Sequence, residues 1–482
     1  MGPIDIGSRL ELFVDDYLIE ELNEAERRLH RPQPEEVAMV HDESWEGGTS
    51  LYHTILEDDG LFRMYYRGSG HGPQGGSTRD LTLYAESEDG LNWRKPDIGR
   101  YEIDGTEANN VILGPDVEGI THNFTPFLDP TIEQGASGRY KGVGSGDQGL
   151  MALQSRDGID WSLIDDDPIF TREQGAFDSQ NLVFWDESRE EYRAYFRYFH
   201  EEGDDRRRAI KTSTSNDFEN WSEPEQLEYP DAPPEQLYTN GIKTYSRAPH
   251  IFIGFPARYV ERDPEAESMR QLPGWEELRK SFIENSGRTG FALTDTLFMS
   301  SRDGQTFDRW QEAFIRPGLW NQDSTAQWFY GDNYPAWHVI ETPSRVDGKP
   351  RELSLFASEK YRSDIARLRR YSLRIDGFIS VHAPLGGGEV ITKPVEFSGE
   401  QLVLNYATSA AGSVRVELQK PDGTPYEGFS EAESPELFGD DLDRVVTWAN
   451  AQSASELRGK PVRIRFVLSD AEIYSFQFRA SN

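Results

Sequence analysis

The sequence predicts an all-β protein, with a five-bladed β-propeller over residues 1–384 and a C-terminal β-sandwich over residues 385–482. Three observations predict it. A turn of the form Ser-x-Asp-Gly-x-x-Trp recurs along the chain, each copy follows a cluster of short apolar or alternating runs, and beyond Gly386-Gly387-Gly388 the turns give way to clean alternation. Repeated units of short strands, with a period above ~20 residues, are the signature of a propeller.

The clearest turns are Ser87-Glu88-Asp89-Gly90-Leu91-Asn92-Trp93 and Ser155-Arg156-Asp157-Gly158-Ile159-Asp160-Trp161. A longer version runs from Ser301 to Trp310, and Ser215 to Trp221 lacks the Gly. Asp-Gly supplies the tight turn and the Trp packs back on the sheet, so these acids are read as structural. Each turn closes a unit of strands. The first is expected over Thr49 to Leu56, Leu61 to Arg67 and Leu81 to Glu86. The second covers Asn123 to Leu128, Arg139 to Val143 and Leu150 to Gln154. Asn181 to Trp185, Tyr192 to Tyr198 and Arg208 to Ser213 make the third. The fourth takes Asn240 to Tyr245, His250 to Phe255 and Thr294 to Met299. The fifth takes Ala336 to Ile340, Glu352 to Ala357 and Leu368 to Ile375. Apolar Leu10 to Val14 is expected to pair into the last blade and close the ring.

An insertion from Glu261 to Arg288 reads as a loop with a short helix, either a lid over a central cavity or a surface excursion. The three glycines at 386–388 read as a hinge. After them, runs such as Val414-Arg415-Val416-Glu417-Leu418 and Val462 to Leu468 alternate as in an antiparallel sandwich.

Composition narrows the partners. The 482 residues include 50 basic and 85 acidic ones, for a net charge of −35. Such a surface repels nucleic acid and anionic membranes. The sequence has no stretch apolar enough to span a bilayer. With no Cys, there is neither a disulfide framework nor a thiolate metal site. The compartment is left open, a secreted or periplasmic location being compatible with a removed signal peptide.

The stretch richest in chemistry is Phe177-Asp178-Ser179-Gln180-Asn181, which heads an apolar strand. A carboxylate there is costly unless a partner or ligand uses it. Comparable positions in the other units are Trp45, Glu46, Thr49 and Ser50; His122, Asn123 and Thr125; Tyr238, Thr239 and Asn240; and Asp332, Asn333, Tyr334 and Trp337. The second strands end in Arg67, Arg197 and Arg258. A ring of amides, hydroxyls, aromatics and Arg around a few acids suits a sugar. The three Arg either bind an anionic sugar or pair with the ring's own acids. His122 is read as a hydrogen bonder to a hydroxyl, and Asp129 as a turn cap before Pro130. No cofactor is expected, a structural or site Ca²⁺ staying open.

Five blades, the Ser-x-Asp-Gly-x-x-Trp turns and a C-terminal sandwich together resemble the glycoside hydrolases of the five-bladed propeller group, of which families 32 and 43 are the best known. Leu12-Phe13-Val14-Asp15-Asp16-Tyr17-Leu18-Ile19 is similar to a run in an uncharacterised bacterial branch described as family-32-like. The likeness spans nearly the whole chain in architecture. In motifs it departs: Leu128-Asp129-Pro130 lacks the family's Arg, no Asn-Asp-Pro-Asn occurs, and there is no Cys for a Glu-Cys pair. The resemblance implies a glycosidase acting on a bacterial or marine poly- or oligosaccharide through acid–base carboxylates in a central funnel. By position, the first blade supplies the base or nucleophile and the third the acid, which makes Glu46 base or nucleophile and Asp178 the acid. Asp332 or Glu359 would tune the acid or replace Glu46. Arg67, His122, Asn123, Gln180, Asn181, Arg197, Asn240, Arg258, Tyr334 and Trp337 would bind substrate. The alternatives are a glycoside phosphorylase on the same scaffold and a non-catalytic carbohydrate-binding propeller.

Overall fold

The computed structural model describes residues 2–70, 78–117, 120–203, 205–319, 327–363, 365–449 and 453–481. The regular structure is nearly all β. The chain divides into two compact units, a larger one of residues 32–245 and 249–372 and a smaller one of residues 1–31, 246–248 and 373–482. The division thus differs from the expected 1–384 and 385–482, the smaller unit taking in the N-terminal residues.

The larger unit is built on five antiparallel sheets that follow one another along the chain. The first comprises Leu51–Asp58, Leu61–Gly68, Leu81–Ser87 and Val111–Leu113. The second runs Thr125–Leu128, Tyr140–Ser145, Gly149–Ser155 and Trp161–Leu163, with Phe170–Thr171 added on its third strand. Leu182–Asp186, Glu191–Glu202, Asp205–Ser215 and Glu225–Gln226 form the third. Lys243–Tyr245, Ala248–Gly254, Met299–Ser301 and Asp308–Arg309 form the fourth. The fifth holds Ile340–Thr342, Glu352–Glu359 and Arg367–Leu373, and its outer strand is Gln33–Val40.

Two expectations are corrected here. Leu10 to Val14 does not complete the fifth sheet: Glu11–Leu12 pairs with Ser475 and Phe476 of the smaller unit, and Phe13 packs against Phe466 and Phe476. That run is buried throughout at Leu12, Phe13 and Val14, too apolar for an edge. Gln33–Val40 suits the edge better. It gives Met39 to the core and offers Glu36 to the buried Arg370, at 3.0 Å. In the fourth unit, the run expected from Thr294 to Met299 divides between two sheets. Ala292–Thr296 pairs with Ala257–Glu261, which pairs with Gln236–Leu237, in a separate three-stranded sheet. The insertion beyond Glu261 holds short helices at Glu267–Arg270 and Lys280–Ser286.

The repeated turns share one bond pattern. In each, the Ser Oγ accepts from backbone N–H groups two and three residues on, and the Asp carboxylate accepts from the N–H groups two and three beyond itself. Gly90, Gly158 and Gly304 sit at φ of 72°, 78° and 80°, and Phe218 holds φ 69° where the Gly is missing. Each turn also lies against the preceding sheet. A Cβ on Gly90 would meet Ile340 of the fifth sheet, on Gly158 the Tyr65 hydroxyl of the first, and on Gly304 the Arg193 and Tyr195 side chains of the third. Phe218 packs on Phe127 of the second, and the Trp337 indole N–H donates to Ile242 O, between the fifth and fourth sheets, at 2.9 Å. The inner faces are filled by Phe127, Phe184, Tyr195, Phe196, Phe252 and Trp337, each worth about 1.5–3 kcal/mol of burial.

In the smaller unit one eight-stranded sheet is organised on two long strands, Gln401–Gln419 and Arg463–Arg479, paired along most of their length. Gly386 and Gly387 form a tight turn between Ile379–Ala383 and Gly388–Thr392, with Gly387 at φ 90°. Both strands pair end to end along Arg463–Arg479, Ile379–Ala383 at Ala471 to Ile473 and Gly388–Thr392 at Arg465 to Leu468, so the glycines interrupt one antiparallel run inside the smaller unit and are not a hinge between units.

Candidate active site

The backbone around Asp178 is clamped from two sides. The Asn123 amide donates to the carbonyls of Phe177 and Ser179, and the Asn181 amide donates to the same two carbonyls at 3.0 and 2.8 Å. Phe177 and Ser179 are wholly buried, while the Asp178 side chain is 68 % exposed. The carboxylate is therefore held out of the protein by a rigid base.

Its nearest partner is His122. His122 Nε2 lies 3.1 Å from Asp178 Oδ1, and His122 Nδ1 lies 3.0 Å from Asp80 Oδ2. The imidazole thus stands between two carboxylates. Arg67 Nη1 is 3.1 Å from the same Nε2, and it can donate there only when Nε2 carries no proton. Burial and the charge of Arg67 act to lower the His122 pKa, but the hydrogen bonds to Asp178 and Asp80 outweigh them and raise it above the usual imidazole value of 6.5. Burial acts to raise the Asp178 carboxyl. The bond from His122 and the charges of Arg197 and Arg67 override it and hold the carboxyl below the usual 3.8.

Aromatic rings wall this corner. The Arg67 guanidinium lies 4.9 Å from the Tyr52 ring centre and donates to the Tyr361 hydroxyl. Arg197 and Arg208 lie 5.1 and 5.0 Å from the ring of Tyr238, whose hydroxyl accepts from Tyr330 at 2.9 Å. Asp178 borders a cavity of about 200 Å³ lined also by Arg172, Phe177, Arg197, Phe199, Arg208 and Tyr238. A larger hollow of about 440 Å³ opens beside Arg258, Asp295, Glu312 and Trp328. There, Arg258 is closed by Asp295 at 2.7 Å and Glu235 at 2.9 Å.

The structure brings together Asp178, His122, Arg67 and Arg197 from the expected set. The others go elsewhere. Glu46 has no exposed surface, and its oxygens accept from the Tyr66 hydroxyl at 2.7 Å, Lys95 Nζ at 2.7 Å and the Glu43 N–H at 2.9 Å, with His41 Nδ1 at 3.4 Å. Burial opposes its charge, yet His41 and Lys95 pull its carboxyl down to about 2. The expected Glu46–Asp178 pair is corrected on its enclosure: a carboxylate with no exposed surface and four partners has no room for substrate. Glu359 is likewise consumed by Arg367, Arg369 and Gln327. Asp332 accepts the N–H groups of Phe329 and Tyr361 at 2.9 and 2.8 Å, and complete burial pushes its carboxyl well up.

The buried amides serve the backbone. Gln180 donates to His53 O at 3.2 Å and Thr54 Oγ1 at 3.1 Å, and Asn240 to Tyr195 O at 3.4 Å. Asn123 and Asn181 position Asp178 as described. Trp337 is 1 % and Tyr334 3 % exposed, so both are core. Asp129 accepts from Thr131 N–H, Tyr192 and Lys141, as a turn cap does. Among the described residues, no group of three or more His, Cys, Asp or Glu is placed to hold a metal.

Asp80, Arg172 and Arg208 were missed. Asp80 comes just before the third strand of the first sheet, and Arg208 lies on the third strand of the third. The rule that found Asp178, a polar residue heading an apolar run, also finds Asp80 when applied to third strands.

No protein-family model matches the chain, and no curated protein matches it. Among solved structures, a glycoside hydrolase is similar at 13 % identity and a TM-score of 0.45, over 72 % of this chain and 93 % of that one. A glycosyl hydrolase from Bacteroides ovatus is similar at 12 % identity and a TM-score of 0.38, over 77 % and 96 %. A third comes from work on glycoside hydrolases of the GH130 family of mannoside phosphorylases that target β-1,2 mannosidic linkages in Candida mannan. It is similar at 13 % identity and a TM-score of 0.40, over 75 % and 96 %. At these values no residue role is carried over.

Proposed function

We propose that the protein is a glycoside hydrolase whose catalytic carboxylate is Asp178. The five sheets are read as blades of a closed propeller, each repeated turn lying on the sheet before it and Gln33–Val40 completing the last blade. The long strands of the smaller unit, bending at their register shifts, are read as an accessory sandwich. The observation that carries the functional reading is geometric: an exposed carboxylate, Asp178, on the wall of a cavity, 3.1 Å from a His122 whose other ring nitrogen is held by Asp80 at 3.0 Å. A carboxylate and an imidazole within hydrogen-bond reach of one open space are the groups that proton transfer to and from a substrate there would use.

Near neutral pH Asp178 is ionised and serves as base or nucleophile, not as the acid that position alone assigns to it. His122, oriented by Asp80, donates the proton that the leaving oxygen needs. When Nε2 gives up its proton, Arg67 becomes the donor to it, which steadies the neutral imidazole. Phe199, half-buried on the cavity wall, supplies an apolar face for a sugar ring, with Asn123 and Asn181 as positioning residues. The test is a panel of poly- and oligosaccharides, assayed for new reducing ends with and without inorganic phosphate. Phosphate-independent release by the wild type supports hydrolysis. Release only with phosphate favours the phosphorylase, and no release on any glycan contradicts both.

A further inference from the structure

We infer that the Asp178 cavity binds an oxyanion, as a carboxylate or sulfate on the sugar or as free phosphate beside it; the inference rests on reading this cavity as the carbohydrate site. Three guanidinium groups, of Arg172, Arg197 and Arg208, line it against the single carboxylate of Asp178. Two of them are deeply buried, Arg197 at 4 % and Arg208 at 7 % exposure.

Their protein partners are mostly neutral. Arg208 donates to Gln236 Oε1 at 2.5 Å and stacks on Tyr259 at 4.5 Å. Its Nε is buried with no hydrogen-bond partner among the described residues. Arg172 donates to the carbonyls of Asp147 and Gly146. Arg197 donates to Ala176 O at 3.1 Å, and its one carboxylate contact among the described residues, with Asp178, is long at 3.8 Å. Two other buried arginines are matched by acids, Arg370 by Glu36 and Glu352 and Arg309 by Glu235, while Arg279 donates to the carbonyls of Pro273, Gly290 and Trp328. The Asp178 cavity differs from both in gathering three guanidinium groups at one opening. The chain has 85 acidic residues to 50 basic ones, so carboxylates are abundant. With Asp178 the single carboxylate lining the cavity, three guanidinium groups are only partly matched there, which is costly unless a ligand supplies further negative charge. Guanidinium forks bind carboxylate, sulfate and phosphate in the same bidentate way.

Isothermal titration calorimetry at fixed ionic strength tests this with three probes: inorganic phosphate, methyl glucuronide and methyl glucoside. At least one anion is expected to bind the wild type, at least tenfold more tightly than the glucoside. Arg208→Gln should weaken that anion about tenfold or more and leave the glucoside unchanged. Phosphate binding alone identifies the free ion, and glucuronide binding identifies a charged substituent. Should Arg208→Gln unfold, Arg172→Gln, at an exposed position, carries the same test with a smaller loss. The inference is overturned if neither anion binds at millimolar concentration, if the glucoside binds equally well, or if the folded Arg variants bind like the wild type. Asp178→Asn separates the two readings. Anion binding that persists in it, with no turnover by any variant, sinks hydrolysis alone, whereas turnover of a neutral glycan without anion binding sinks this inference alone.

Discussion

Glu46 precedes the first sheet with no exposed surface, and Asp178 precedes the third with 68 % of its side chain exposed. By sequence the two are equivalent, each an acid just ahead of an apolar strand. Their surroundings differ in kind. Around Glu46, Tyr66, Lys95, His41 and a backbone N–H saturate both oxygens. Around Asp178 there is one imidazole and a distant guanidinium, with open space beyond. A carboxylate whose partners are complete holds a fold together, while one whose neighbours are left incomplete is available to a ligand. The comparison also separates the arginines: those at Glu359 and Glu36 are filled, and those facing Asp178 are not.

The largest effect expected is at His122, the proposed proton donor. His122→Asn should lower kcat by roughly a hundredfold or more with little change in melting temperature. A loss confined to KM would instead make His122 a binder of hydroxyls. Glu46→Gln should cost about 3 kcal/mol in chemical denaturation, in line with a carboxyl lowered from 4.5 to about 2. That stabilisation is present above pH 4.5 and disappears as pH falls toward 2, a loss that acid titration of the wild type should reveal and Glu46→Gln should lack. Activity should plateau between the two titrations, falling on the acid side below the ordinary aspartate value and on the basic side above 6.5. Any stability His122 contributes through its raised pKa is complete below 6.5 and is lost as pH rises through its folded value. The smallest effect is in a turn. Gly158→Ala, at φ 78° and with its new methyl against the Tyr65 hydroxyl, should cost ~1–2 kcal/mol without changing turnover per folded molecule.

The repeats were legible because turn chemistry is local: Ser, Asp and Gly bond within a few residues of one another. Asp178 was legible because a charged residue interrupts an apolar run. The failure at Glu46 has the opposite cause. Its partners His41, Tyr66 and Lys95 lie 5, 20 and 49 residues away, and spacing alone does not say who will meet. Arg172 and Arg208 flank Asp178 only because the third sheet brings a loop and its third strand beside the first. The left-handed Phe218 was also hidden, since a bulky residue rarely adopts that backbone. The outer strand of the fifth sheet was misplaced because Leu10 to Val14 is the more apolar run, and only tertiary packing sorts a buried run from an edge such as Gln33–Val40.

The most direct test compares Asp178→Asn with Glu46→Gln, measuring reducing-end release per folded molecule and melting temperature on the same samples. Asp178→Asn should lose at least about a hundredfold in turnover and keep its melting temperature, while Glu46→Gln should melt earlier and turn over normally once folded. A Glu46→Gln protein that stays stable but inactive, beside an Asp178→Asn protein that still cleaves, would contradict the assignment of the site.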